Sequence, residues 1–277
     1  MRVLISWMLL MGVGSGFAGF VPLDGPYAPP PGMTGSTAVP YREAEKDSRI
    51  VGWATGFSSF TAGPTDIRFP EGPFAEWGSP ADALGPSDGE VSDNFAVVSL
   101  GDGGQITLTF AQPFGDGPGP DLAVFENGFS DEFLELAFVE VSSNGTTFHR
   151  FSAISLTQTD TQLPGFGYLD TTYVHNLAGK YRRGFGTPFD LAELAGLDDL
   201  NIAAITHVRV MDVVGSLDER YRRFDSQGHP INDPWTTDFE TGGFDLDAVA
   251  ILSIPEPTTS IFCLLGLSVC AIRRKRS

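Results

Sequence analysis

Near its C-terminal end the chain reads Phe244-Asp245-Leu246-Asp247-Ala248-Val249-Ala250-Ile251-Leu252. Residues two apart in a strand leave the same face, so Asp245 and Asp247 are expected to present two carboxylates together. The other phase, Phe244, Leu246, Ala248 and Ala250, is apolar and expected to enter the core. Two carboxylates on one face repel unless water solvates them or a cation bridges them. Calcium takes about six to eight oxygen ligands, including carboxylates and backbone carbonyls. Asp121, Glu126, Asn127 and Asp212 stand at or near the ends of other strand-like runs. If those strands neighbour the last one, these six residues are candidate ligands for Ca2+. The competing reading is an acidic rim with turn-capping aspartates.

Other chemistry is poorly supplied. There is no nucleophile elbow, phosphate loop or zinc spacing. His149, His175, His207 and His229 show no metal-ligand spacing. The expectation is therefore a protein without catalytic activity. A glycan hydrolase is the alternative, with Glu126 and Glu140 as acid and base, and that pair would need a separation of ~5–9.5 Å across a cleft. A purely structural surface protein is a third class. Tyr181-Arg182-Arg183 and Tyr221-Arg222-Arg223 place scarce positive charge beside aromatics. They suit either an acidic sugar or internal salt bridges.

These residues need strands to hold them. Val97–Leu100, Gln105–Phe110, Asp121–Asn127, Leu136–Ser142, Phe148–Phe151, Ile205–Val214 and Phe244–Leu252 read as short strands. Ser143-Asn144-Gly145 reads as a hairpin turn, as does Asp102-Gly103-Gly104. Thr187–Leu194 reads as a short helix ending near Gly196. The expected fold is all-β: an antiparallel, jelly-roll-like β-sandwich with one short helix, spanning residues 50–253. Residues 19–49 form a Pro/Gly-rich leader through which no helix or central strand can run.

The chain has 277 residues, with 17 Lys and Arg against 35 Asp and Glu. Arg2 and four residues at the C-terminus account for five of the basic ones, leaving 12 for the rest of the chain. Such a surface makes nucleic acid and anionic surfaces poor partners. Divalent cations and neutral glycans suit it better.

Both ends read as targeting segments. Arg2, the apolar run Val3–Val13 and Gly16-Phe17-Ala18 form a signal peptide over residues 1–18, cut between Ala18 and Gly19. Residues 254–277 hold Pro255-Glu256-Pro257, an apolar run from Ile261 to Ile272, and the basic end Arg273-Arg274-Lys275-Arg276. The arginines hold that end in the cytoplasm, and the span is short of the ~17 residues a stable crossing needs. The only cysteines, Cys263 and Cys270, lie in this run.

This tail resembles the PEP-CTERM sorting signal of Gram-negative bacteria. The resemblance implies signal peptidase and exosortase as processing partners. It also implies transient anchoring in the inner membrane by the C-terminal helix, then release or attachment at the cell surface. The body, through Val141-Ser-Ser-Asn-Gly and Phe244-Asp-Leu-Asp-Ala-Val, resembles bacterial cell-surface proteins with discoidin-like or galactose-binding-like sandwiches. That implies glycan binding by end loops and a structural calcium. Together they give an exported, non-enzymatic protein that binds or organises extracellular polysaccharide. Mass spectrometry of the exported protein should find an N-terminus at Gly19 and no residues of the basic tail. A surface form retaining Arg273–Arg276 would refute the sorting reading.

Overall fold

A computed structural model of the chain describes residues 39–40, 49–87, 96–129 and 133–253. The expected signal peptide with Ala18 and Gly19, most of the leader, and the tail with Pro255, Glu256, Pro257, Arg273, Arg274, Lys275 and Arg276 lie outside them. No helix among the described residues is long and apolar enough to cross a membrane.

The fold is all-β and antiparallel. Its strands are β1 (Val39–Pro40), β2 (Ile50–Trp53), β3 (Gly56–Thr61), β4 (Val98–Ser99), β5 (Gln105–Phe114), β6 (Leu122–Glu126), β7 (Ala137–Ser142), β8 (His149–Arg150), β9 (Ile154–Ser155), β10 (Val174–His175), β11 (Phe185–Phe189), β12 (Ile205–Asp212) and β13 (Asp245–Leu252). One sheet runs β1-β11-β6-β13-β2, with β4 also on β13; a second runs β3-β5-β12-β7-β8; β9 and β10 pair separately. Pro40 falls on an edge strand, the part of a sheet to which proline is confined.

Alternation of side chains builds the core. Leu122 and Val124 of β6, with Leu246 and Val249 of β13, meet Ile106 and Leu108 of β5, Val139 and Val141 of β7, and Val208 and Val210 of β12. The two larger sheets therefore share one buried layer, an arrangement consistent with a β-sandwich. The opposite face of the first sheet is also buried, with Ala123, Phe125, Ala248, Ala250 and Leu252 packed beside Ile50 and Trp53. Strands covered on both faces read as continuous apolar runs, which is why β6 and β13 do not alternate cleanly.

The Asn-Gly hairpin forms as expected, pairing Glu140 with Arg150 and Val141 with His149. Asn144 Oδ1 closes it by accepting the N–H groups of Thr146 (2.8 Å) and Thr147 (2.9 Å).

Two expectations are corrected. Asp102-Gly103-Gly104 is no hairpin: β4 pairs with β13, whereas β5 pairs with β3 and β12. The turn instead carries the chain from one sheet to the other. Its glycine serves close approach, since a Cβ on Gly104 would fall 1.8 Å from the Leu100 carbonyl oxygen. The helix expected over Thr187–Leu194 begins as strand. Thr187, Pro188 and Phe189 pair with β6, and only Leu191–Leu194 makes a single 3₁₀ turn, capped by Asp190. Packing outweighs local propensity here, because Phe189 meets Phe151 at 5.0 Å between ring centroids.

Phe151 is fully buried and Val51 is largely exposed. Phe151→Ala should cost about 3–5 kcal/mol and Val51→Ala less than about 0.5 kcal/mol, read from urea unfolding midpoints at unchanged slope.

Candidate functional site

The strand ends gather acidic residues. β6 and β13 are neighbours, with Leu246 opposite Glu126. The Asn127 N–H donates to the Asp245 carbonyl (3.2 Å). Asp212 ends β12 in the other sheet, yet its carboxylate reaches across. Oδ1 accepts from Phe244 N–H (2.9 Å) and Oδ2 from Gly103 N–H (2.8 Å). Glu126, Asn127, Asp212, Asp245 and Asp247 thus meet at one end of the fold. Asp121 precedes β6 and lies at the other end.

The last strand departs from simple alternation. Its register against β6 slips by one residue across Asp247, so Ala248 and Ala250 turn to the opposite face from Leu246 and Val249. A bulge of this kind re-aims side chains that a regular strand would align. Asp245 and Asp247 do not form a solvated rim either: both are buried. Ser99 Oγ donates to Asp245 and Ser87 Oγ donates to Asp247.

Three further carboxylates join this end. Asp102 Oδ2 accepts from Ile67 N–H (2.7 Å) and Trp235 Nε1–H (3.1 Å). Asp233 Oδ2 accepts from Leu136 N–H (2.8 Å), and Glu126 Oε2 accepts from Gly128 N–H (2.7 Å). Glu135 precedes β7 and is buried beside them. Two buried oxygens, Glu135 Oε1 and Asp233 Oδ1, meet no donor. Sequence reading missed Glu135 as a site residue. The available signal was a lone acid inside the apolar run Phe133-Leu-Glu-Leu-Ala.

Burial governs the protonation of the group. Desolvation first, and neighbouring acids second, hold Glu126 and Glu135 well above the usual carboxylate range. Desolvation does the same to Asp233. It pushes Asp102 up to about 6, Asp245 to about 7 and Asp212 to about 8.

Asp121 belongs to a different group. With Asp116 and Asp190 it forms the one set among the described residues whose three ligand atoms all lie within 4.8 Å of one another. Its oxygens also cap loops, accepting from Gly117 N–H (2.8 Å) and Leu191 N–H (2.8 Å). Burial raises Asp121 to about 7.

The remaining candidates separate. Val139 and Val141 enter the core, so Glu140 points away from the sheet that holds Glu126. There it pairs with Arg150 (2.8 Å) and Arg209 (3.1 Å). Arg222 bridges to Glu219 (2.8 Å), and the Arg182 guanidinium lies 5.7 Å from the Phe185 ring.

A strip of phenylalanine rings runs over the loops of the acidic end. Phe129 and Phe133 stack at 6.1 Å, Phe133 and Phe166 lie 5.5 Å apart, and Phe166 and Phe239 stack at 5.5 Å. Phe129 is 64 % exposed and Phe166 79 %, so the strip is a surface feature rather than core. No protein-family model matches the chain, and no curated protein matches it either.

The raised carboxyls fix the sign of a pH effect. Asp102, Asp121, Asp212 and Asp245 hold protons in the folded state up to about pH 6–8, against a reference near 3.8 when unfolded. The folded state therefore binds more protons between these limits, and their stabilisation is lost as pH rises through 6–8. In metal-depleted buffer the melting temperature should be higher at pH 5 than at pH 8. The reverse order would mean that these groups are ionised when folded.

Proposed function

We propose that this is an exported protein of the bacterial surface or extracellular matrix, built on a jelly-roll-like β-sandwich, that binds extracellular polysaccharide through its end loops without cleaving it. The observation that carries the reading is the ring strip Phe129, Phe133, Phe166 and Phe239, in which Phe129 and Phe166 are exposed and Phe133 and Phe239 half-buried. Exposed contiguous aromatic surface marks interaction sites, and ring faces take up the apolar C–H faces of sugars. The surplus of 35 acidic residues over 17 basic ones disfavours anionic partners and leaves neutral glycans. The expected signal peptide and the resemblance of the tail to PEP-CTERM signals support a location outside the inner membrane, where matrix glycans lie. The hydrolase reading is weakened because Glu126 and Glu140 belong to different sheets, with Glu140 pointing away and ion-paired.

A glycan array and a pull-down with native exopolysaccharide test this. Binding is expected, with no change in polysaccharide length. Phe166→Ala and Phe129→Ala should each weaken it about fivefold, for ~1 kcal/mol per aromatic contact, while leaving the melting temperature unchanged. Shortened chains would identify a hydrolase. No binding to any glycan would leave a purely structural protein.

A further inference from the structure

We propose that the buried acidic end holds one divalent cation between Glu135 and Asp233, with Glu126 and Asp245 contributing the remaining negative charge. The two orphaned oxygens carry the inference. Glu135 is only 6 % exposed and Asp233 only 3 %, yet Glu135 Oε1 and Asp233 Oδ1 meet no hydrogen-bond donor. Asp233, like Asp102, Glu126 and Asp245, has one oxygen satisfied by an N–H or O–H group, and Asp212 has both; the buried carboxylate oxygens left over among the described residues are Glu135 Oε1 and Asp233 Oδ1. A buried carboxylate oxygen without a donor is costly, so one on each of two side chains at the same acidic end calls for a ligand.

The two side chains are neighbours through the backbone. Asp233 Oδ2 takes the N–H of Leu136 at 2.8 Å, which sets the Asp233 carboxylate beside the residue that follows Glu135. The side chains that act most strongly on Glu135 are all carboxyls, Asp245, Glu126, Asp233 and Asp212, with no basic group among them. What fits among them is a cation.

The donors are oxygens only, which selects hard ions over zinc or copper. Two free carboxylate oxygens are too few for a full shell, so carbonyl and water oxygens must supply the rest. Calcium accepts such mixed and irregular shells, whereas magnesium demands near-ideal octahedral geometry. Calcium is therefore the expected ion. The Asp116, Asp121 and Asp190 group is a weaker candidate, because both Asp121 oxygens already receive backbone N–H groups.

An ion here would brace the loops that carry the aromatic strip. Glu135 shares its loop with Phe129 and Phe133, and Asp233 shares its loop with Phe239. The site does not rest on the glycan reading: loss of ion uptake would leave an array result standing, and the reverse holds too.

The test uses the purified full chain, stripped with chelator and dialysed against calcium. The ion content by elemental mass spectrometry should be about one per chain. The melting temperature should rise by roughly 5–10 °C at a calcium concentration about 100 times Kd. Glu135→Gln and Asp233→Asn should each weaken uptake about tenfold or more. Without calcium both variants should melt at or above the native temperature, since each amide replaces a carboxyl that burial already keeps from ionising. Failure of the native chain to take up calcium, magnesium or manganese overturns the proposal. So does uptake that survives both variants and disappears in Asp116→Asn. If a variant fails to fold, the native chain's ion content and melting shift still decide the question.

Discussion

The carboxylate of Asp212 sits at the end of β12 and takes the backbone N–H groups of Gly103 and Phe244. Gly103 lies in the turn that leads into β5, within the same sheet as β12, while Phe244 immediately precedes β13 in the other sheet. One side chain thereby sets the height at which the two sheets end against each other. The backbone around it is shaped to fit. Gly243 has φ +72°, and a Cβ there would come 3.0 Å from Asp212 Oδ1. A larger residue at this point would have to push the anchor away or abandon the turn.

The same device recurs around it. Asp102 holds Ile67, Asp233 holds Leu136, and Asp225 holds the N–H groups of Ser155 (3.0 Å), Gln227 (2.8 Å) and His229 (2.8 Å). Long loops are poor in regular pairing, so their buried N–H groups need acceptors, and short acidic side chains supply them. The consequence is electrostatic. Acceptors chosen for geometry bring like charges together out of water, where they repel and are poorly solvated. Protons or a cation must offset that charge, and the composition offers few basic side chains to do so.

Stability and the proposed recognition therefore draw on the same loops. Glu126 ends β6, the segment after it carries Phe129, Phe133 and Glu135, and the segment before β13 carries Asp233 and Phe239. Acidic side chains turn inward and hold backbone. Aromatic side chains turn outward and stack on one another. A ligand on the outer strip and charge compensation beneath it would act on one set of loop conformations, carried by a scaffold held by the β layers.

Much of the layer structure was legible in the chain itself. Gln105-Ile-Thr-Leu-Thr-Phe announces a half-buried strand by its period of two, and Asn144-Gly145 announces a tight turn by its chemistry. Local signals could not say which strand each would meet. The glycines after Asp102 mark a turn, but pairing partners depend on which faces the whole chain can bury, and that sends β4 and β5 to different sheets. Phe189 reads as part of a helix until Phe151 is placed beside it. The acidic site shows the same division. Asp212, Asp245, Asp247 and Glu126 stand out as acids at strand ends, whereas Glu135 and Asp233 become site residues only when two distant loops converge. The sequence determined which residues could pair, turn or carry charge, because those properties belong to single side chains and their near neighbours. Only the tertiary structure decided which carboxylates lose their water and which of their oxygens lack a donor, because burial is a property of everything packed around them.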